Sequence, residues 1–276
     1  MSFAERIHGR FPISKDSNYA DKAPIPQPSI PEPPYEDDGK FVSILMVTLD
    51  RYDLLAKCVE ENLAKAGYPF ELLCCDNGST DQRVIEYVDN LQPAYHRINE
   101  TNLGYAPCLN QMLLRAKGDY ICIADPDITL PNYWLRKLVA ANKDIPDSGI
   151  SGYHCVEALP DECTVYGHRI RPGDVFGIKF FNRRVLNEVG YLCEDYSPYG
   201  LEDRDYLERL KGKGFICYYI ADGKSEHIGQ DVDQKNEYRE MKWKNLERVY
   251  PTFCANMERY KATQEFYLPP PELKWE

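Results

Sequence analysis

Tyr120-Ile121-Cys122-Ile123-Ala124-Asp125-Pro126-Asp127 is a short apolar run that ends on two carboxylates one residue apart. Gly118-Asp119 bounds it upstream, and Pro131 marks the point downstream where a helix beginning Asn132-Tyr133-Trp134-Leu135 can start. A β-prone apolar run between such breakers predicts a buried strand. In an open α/β sheet, ligands bind just beyond the carboxyl ends of the strands. Two carboxylates there can hold a divalent metal that bridges phosphate oxygens. The competing reading is an acidic loop that caps the following helix. The tripeptide alone leaves both open.

Upstream, Phe41–Leu49 reads as a buried strand, and Asp53–Lys65 as a helix with Leu54, Leu55, Cys58, Val59 and Leu63 on one face. Phe70–Cys75 is a second strand. Ser79–Asn90 is a second helix, with Ser79 as its N-cap and Val84, Ile85 and Val88 turned inward. Tyr95–Ile98 is a short third strand, Tyr105–Lys117 a helix burying Leu109, Met112 and Leu113, and Tyr120–Ala124 the fourth strand. This alternation predicts an α/β fold: a mostly parallel, Rossmann-like sheet with helices on both faces and right-handed crossovers.

After Leu138 the alternation loosens. Ile150–Val156, Thr164–Tyr166 and Val175–Phe181 read as shorter strands, separated by turn residues such as Arg171-Pro172-Gly173-Asp174. Arg184–Val189 and Glu202–Lys211 read as helices, and Phe215–Ile220 as a last buried strand. From Asp233 to Tyr250 a helix places Tyr238, Met241, Leu246, Val249 and Tyr250 on one face, as a docked helix does. The expected organisation has three parts. Residues 1–40 form an extension with six prolines between Ala23 and Pro34, residues 41–230 a domain whose halves divide after 130, and residues 231–276 a C-terminal helix and tail. The extension and the C-terminal helix are candidate contacts for a homo-oligomer, and solvated tails are the alternative.

The chain of 276 residues suffices for one large α/β domain. Its net charge of −11 argues against a nucleic-acid partner, which calls for a basic face. An acidic protein that handles a phosphorylated ligand needs local cations, and a bound metal supplies them. The longest apolar run, Phe41–Leu49, is too short to span a bilayer, and Met1–Ser14 lacks a continuous apolar core, so neither a transmembrane segment nor a secretory signal is expected. The ten cysteines include no Cys-x-x-Cys pair, and Cys74, Cys75, Cys122 and Cys217 lie inside apolar runs. That pattern predicts free thiols in a reducing, cytoplasmic setting, at most peripheral to a membrane.

Further candidate residues lie at the other strand ends. The first strand ends Thr48-Leu49-Asp50-Arg51. The second ends Asp76-Asn77-Gly78-Ser79-Thr80-Asp81, a sharp turn that can present backbone N–H groups and a carboxylate to a ligand. A capped turn without a ligand is the alternative. Asp76 could accept hydrogen bonds from a planar base. Asn102-Leu103-Gly104 precedes the third helix, which carries Asn110. No strand is followed by Gly-x-Gly-x-x-Gly and there is no Gly-x-x-x-x-Gly-Lys-Ser/Thr, which disfavours a dinucleotide dehydrogenase and a P-loop NTPase.

The order Asp76 turn, Asn-x-Gly, Asp-x-Asp, together with Val42-Ser43-Ile44-Leu45 through Arg51, closely resembles glycosyltransferase family 2 with its GT-A fold, over roughly residues 41–230. The resemblance implies that the Asp76 turn holds the uracil and ribose of a nucleotide-sugar. Thr48 and Asp76 would line the base pocket. Asp50, Arg51, Asn77, Asn102 and Gly104 would border the nucleotide, with Arg83 a further neighbour. Asp127 would be the surest ligand of manganese or magnesium on the diphosphate, and Asp125 would lie near the ribose or the metal. Tyr199-Gly200-Leu201-Glu202-Asp203 opens a helix, and an acidic first turn complements the helix dipole in any protein. By resemblance the Glu202-Asp203 pair supplies the catalytic base, Asp203. His227 follows the last buried strand, where family members place a metal-binding histidine, and an imidazole nitrogen beside carboxylate oxygens suits manganese. His154 and His168 have no such context.

These features imply a metal-dependent, inverting glycosyltransferase that moves one sugar from a nucleotide-sugar, a UDP-sugar foremost, to a hydroxyl acceptor on a glycan or glycoconjugate. The lack of a Gln-x-x-Arg-Trp segment and of transmembrane helices favours single additions over processive polymerisation. A sugar-phosphate nucleotidyltransferase is a rival, but it would carry a glycine-rich basic loop where this chain has Thr48-Leu49-Asp50-Arg51-Tyr52. A catalytically inactive GT-A scaffold is the other rival. Retention of Asp127, Asp203 and His227 together speaks against it.

Overall fold

The first apolar run becomes the strand on which the sheet is built. In the computed structural model, which describes residues 38–154, 162–229 and 237–272, β1 (Val42–Thr48) pairs in parallel with β2 (Phe70–Asp76) on one side and β4 (Tyr120–Ile123) on the other. β3 (Tyr95–Ile98) extends the parallel set beyond β2. A strand covered on both faces has no polar face to alternate, so β1 reads as a continuous apolar run. Helices α1 (Tyr52–Ala64), α2 (Gln82–Asn90) and α3 (Tyr105–Leu113) make the crossovers. Val42, Ile44 and Met46 pack with α1 and α2 on one face, while Leu45 packs with α3 on the other.

Past β4 the sheet becomes mixed. β9 (Lys179–Asn182) pairs antiparallel with β4, and β6 (Ser148–Tyr153), β10 (Ile216–Ile220), β8 (His168–Pro172) and β7 (Cys163–Val165) complete the order β3-β2-β1-β4-β9-β6-β10-β8-β7. A separate ribbon pairs β5 (Ile128–Thr129) with β11 (Glu226–His227). Helices α4 (Trp134–Asp144), α5 (Arg183–Val189), α6 (Glu202–Gly212) and α7 (Glu237–Thr263) cover this half. The expected α/β architecture, parallel half and mixed half together, is the one observed.

Several boundaries differ from the expectations. Asp81, not Ser79, caps α2, accepting from the Arg83 N–H at 3.1 Å. Helix α3 stops at Leu113 instead of Lys117 because Glu71 captures the Lys117 N–H at 2.7 Å and Ser43 the Gly118 N–H at 2.8 Å. Only Lys179–Asn182 of the run from Val175 is strand, and Arg171-Pro172, expected in a turn, ends β8. The C-terminal helix continues through Pro251 to Thr263, and Met241, expected inward, is exposed. Proline inside a helix costs about 3 kcal/mol, and the contacts on either side of it offset that cost. Val249 and Phe253 pack on Cys193 and Tyr196, Asn256 donates to the Tyr196 hydroxyl, and Tyr260 donates to Asp205. Residues 1–37, Val156, Asp233–Asn236 and the Tyr238 side chain, all named in the expectations, lie outside the described residues.

One buried ion pair joins α6 to its surroundings. Arg209 Nε donates to Asp205 Oδ2 at 2.8 Å, with both side chains fully buried, and its other nitrogens donate to the Val189 and Tyr191 carbonyls at 2.7 Å. Asp205 Oδ1 accepts from the Tyr196 and Tyr260 hydroxyls at 3.0 and 2.9 Å. Helix α7 is thereby fixed to the helix that begins at Glu202.

Among the described residues, nine cysteines are unpaired and seven of these are buried. No described helix is long and apolar enough to cross a membrane.

Candidate active site

Strands that run parallel end on the same edge, and a cleft of about 520 Å³ opens there. The ends of β1 and β2 are tied by their own polar groups. Asp76 is fully buried, and its carboxylate accepts four hydrogen bonds: from the hydroxyls of Thr48 (2.8 Å) and Ser79 (2.5 Å), and from the N–H groups of Gly78 (3.2 Å) and Ser79 (2.8 Å). It is absent from the cleft lining, whereas Thr48 and Asn77 are part of it. Asp50 is similarly engaged, accepting from the Thr80 and Asp81 N–H groups at 2.7 and 2.9 Å. Both carboxylates therefore shape the loops of the cleft.

Asn77 and Asn102 join the next two loops. Asn77 Nδ2 donates to Asn102 Oδ1 at 2.8 Å, and that oxygen also accepts from the Gly104 N–H at 3.0 Å. Gly104 has φ 110°, and a Cβ there would meet Ser197 Oγ at 2.8 Å, so the position requires glycine. Asn110 is buried, donates to the Leu192 carbonyl at 2.9 Å and accepts from the Leu192 N–H at 3.0 Å, a structural bridge away from the cleft. Arg83, expected beside the nucleotide, instead points to the surface, where it pairs with Asp81 and lies 4.6 Å from the centre of the Tyr52 ring. His154 packs edge-on against Tyr219, and His168 pairs with Asp144.

Asp127 is the focus of the acidic loop. The β5–β11 ribbon brings His227 Nε2 to 3.1 Å from Asp127 Oδ1, and Arg51 Nη1 lies 3.3 Å from Oδ2. A Cβ at Gly229 would overlap the Asp127 carboxylate, so the returning chain passes against the acid only as glycine. Burial pushes the Asp127 carboxyl up, but His227 and Arg51 outweigh it and hold the group below its usual range. Asp125 differs. Its Oδ1 accepts from the Tyr105 hydroxyl at 2.9 Å, and burial raises its carboxyl despite the attraction of Lys179.

The opposite wall begins at α6. Glu202 is buried, accepts from the Gly200 N–H at 2.7 Å, and is pushed up to about 7 by burial and by the neighbouring Asp203 charge. Asp203 is more open, and its Oδ2 lies 3.4 Å from Lys179 Nζ. Burial would lower the Lys179 ammonium, but Asp203 and Asp125 raise it instead. Met241, Lys242 and Asn245 of α7 also line the cleft, with Lys242 Nζ 5.5 Å from the centre of the Tyr199 ring. Sequence reasoning missed Lys179, Tyr105 and this α7 wall. A lone lysine inside the apolar run Val175–Phe181 was the available signal for the first.

The donor set fits a divalent cation bound partly by its substrate. Asp127 and His227 offer an oxygen and a ring nitrogen side by side, while among the described residues no three acidic, histidine or cysteine groups converge to hold a metal alone. Small hard cations at phosphate-handling sites commonly take one or two protein ligands and complete their shell with phosphate and water.

The model for the family described as "Glycosyl transferase family 2" matches residues 43–192. Among curated proteins, the chain is 22% identical over 250 residues to the chondroitin synthase of Pasteurella multocida (strain Pm70), covering 71% of this chain and 25% of that protein. It is 33% identical over 112 residues to the putative glycosyltransferase EpsE of Bacillus subtilis (strain 168), covering 38% of this chain and 39% of that one. The chain thus spans only part of the length of these relatives. Among solved structures it is similar to GalNAc-T7 with UDP, GalNAc and Mn2+ (TM-score 0.56, 13% identity, 70% of this chain and 45% of that one). It is also similar to the mannosyltransferase PcManGT of Pyrobaculum calidifontis with GDP-Man and Mn2+ (TM-score 0.50, 19% identity, 65% and 56%). At these identities the structural likeness establishes the GT-A fold.

Proposed function

Because the chain belongs to glycosyl transferase family 2, we propose that it is a metal-dependent, inverting transferase moving a single sugar from a UDP-sugar to a hydroxyl of a glycan or glycoconjugate. The observation that carries this reading is the arrival of Asp127 with His227 and of Asp203 with Lys179 at one cleft beyond the strand ends. In this reading residues 41–130 hold the nucleotide and residues 131–230 the acceptor and base. Thr48, Asn77 and Asn102 border the base and ribose, with Asp76, Asp50 and Gly104 fixing the loops. The buried, unpaired cysteines support a cytoplasmic setting.

Asp203 acts as the base. The acceptor oxygen attacks the anomeric carbon from the side opposite the diphosphate. A carbon–oxygen bond forms as the bond to the diphosphate breaks, the electron pair leaves with the diphosphate, and the hydroxyl proton passes to Asp203. Glu202 stays hydrogen-bonded behind it and orients the start of α6. Asp127 and His227 would hold manganese or magnesium, whose charge stabilises the departing diphosphate, while Asp125 nearby is held by the Tyr105 hydroxyl. Arg51 adds a fixed cation on the same side.

A panel of UDP- and GDP-sugars assayed for transfer and hydrolysis, with manganese and with chelator, tests the reading. Turnover of one donor that needs metal is expected, lost in Asp127→Ala and in Asp203→Asn, with nucleotide binding kept in the latter. Chelator-insensitive turnover, or full activity in Asp203→Asn, would sink it.

A further inference from the structure

Lys179 is a charged residue in the middle of a sheet. It opens β9, between β4 and β6, in register with Ile123 and so close to Asp125. Its side chain is only 6% exposed. Ile123, Val175 and Phe181 line the apolar space beside it. Its ammonium lies 3.4 Å from Asp203 Oδ2, 3.2 Å from the Gly177 carbonyl oxygen and 5.8 Å from the centre of the Tyr105 ring. Burying an ion pair is weak evidence for stability, since apolar residues of similar volume in place of both partners often pack as well or better. Fold stability therefore gives no account of this lysine.

We infer that Lys179 is a positioning residue that clamps the Asp203 carboxylate in the orientation from which it takes the acceptor's proton. This rests on the assignment of Asp203 as base proposed above. The pair joins two elements, β9 and α6, so it fixes the first turn of α6 against the sheet at the point where the reacting oxygen must arrive. The ammonium engages Oδ2, so a proton accepted on Oδ1 does not require the pair to break. Glu202, Asp125 and Asp127 line the same cleft, and an ionised Asp203 among them needs a cation at contact distance to stay in place. Arg51 is engaged with Asp127 on the other side of the cleft.

The test compares Lys179→Met and Lys179→Arg in the full chain. Turnover is followed with UDP-glucose, UDP-galactose, UDP-N-acetylglucosamine and UDP-glucuronate in the presence of manganese, and UDP binding by calorimetry. Lys179→Met is expected to lower kcat about 100-fold, the usual cost of a misplaced catalytic group, with donor KM and UDP affinity within about threefold. Lys179→Arg is expected to recover about tenfold of the loss. Unchanged kcat in Lys179→Met overturns the inference, and so does a tenfold weaker UDP affinity, which would make Lys179 a nucleotide ligand. Crystal structures decide the matter without any donor: an Asp203 carboxylate displaced by about 1 Å in Lys179→Met supports the clamp, and an unmoved one overturns it. Should Lys179→Met not fold, Lys179→Gln takes its place in each comparison. Asp203→Asn is assayed alongside. Full activity there removes the base assignment itself, whereas an active Lys179→Met beside an inactive Asp203→Asn removes only the clamp.

Discussion

His227 Nε2 stands 3.1 Å from Asp127 Oδ1 because a two-residue ribbon delivers it there. The Ile228 N–H donates to the Asp127 carbonyl at 3.0 Å, and Asn62 of α1 grips the other side of the ribbon, donating to the Ile128 carbonyl at 2.6 Å and accepting from the Leu130 N–H at 2.8 Å. The acidic loop is thus held between α1 and the returning chain. Neither contact has a periodic signature, since β5 and β11 are two residues each.

His227→Ala removes a nitrogen donor and leaves the carboxylate. The manganese concentration giving half-maximal turnover should rise about 10- to 100-fold, with the maximum largely regained at saturating metal. Asp127→Ala should not be rescued by metal at any concentration. A metal titration of turnover for the two variants checks both. An unchanged requirement in His227→Ala would remove the histidine from the metal's surroundings.

Asp76 accepts four hydrogen bonds inside the protein, so its loss strands buried donors. Asp76→Ala should cost roughly 3 kcal/mol or more, because each unmade buried bond costs about 1–3 kcal/mol. Asp76→Asn keeps one acceptor oxygen and should fall between it and the parent. Both should also weaken UDP binding, because the turn carries Asn77 to the cleft. Urea unfolding and calorimetric titration measure the two effects separately. A stable Asp76→Ala with lost UDP affinity would instead mean that Asp76 touches the base.

Tyr260 and Asp205 hold α7 to α6. Tyr260→Phe removes one hydroxyl from a charged acceptor and should cost about 1.5–3 kcal/mol. Asp205→Asn leaves Arg209 buried without its ion-pair partner and should cost about 3–5 kcal/mol. Hydrogen exchange over residues 250–263 should quicken in Tyr260→Phe while β1 and β2 stay protected. Uniform loss of protection would show that α7 unfolds only with the whole domain.

The parallel half was legible because strands with both faces buried and helices with one apolar face leave periodic marks. Phe41–Leu49 and Phe70–Cys75 fall within a residue or two of the observed strands. The mixed half was less legible. His168–Pro172 carries two arginines, a histidine and a proline, yet forms a strand because it pairs with β10 on one side and β7 on the other. Residue types at the strand ends marked where chemistry could sit, but not which carboxylates reach the cleft. Asp76 and Asp127 look alike as strand-end acids. One is consumed by Thr48 and by its own turn at Gly78 and Ser79, and the other is left for His227 and Arg51, which lie far from it in the chain. Lys179 was missed because it sits on a strand and its partner, Asp203, on a separate helix.

Glu202 makes stability depend on pH in a direction opposite to that of a salt-bridged acid. Burial, then the Asp203 charge, push its carboxyl up from 4.5 to about 7. Between those values the folded protein holds a proton that the unfolded chain has released, so stability falls as pH rises through that window and levels off above it. Below about 4.5 both states are protonated and this residue contributes no slope. Glu202→Gln mimics the protonated form and still accepts from the Gly200 N–H. It should match the parent near pH 4.5 and exceed it by up to about 3 kcal/mol at pH 8. Urea midpoints of the two proteins between pH 4.5 and 8 measure the difference. A gap that stays constant across that range would mean that the carboxyl ionises at its ordinary value, and that Asp203 and burial exert no pull on it.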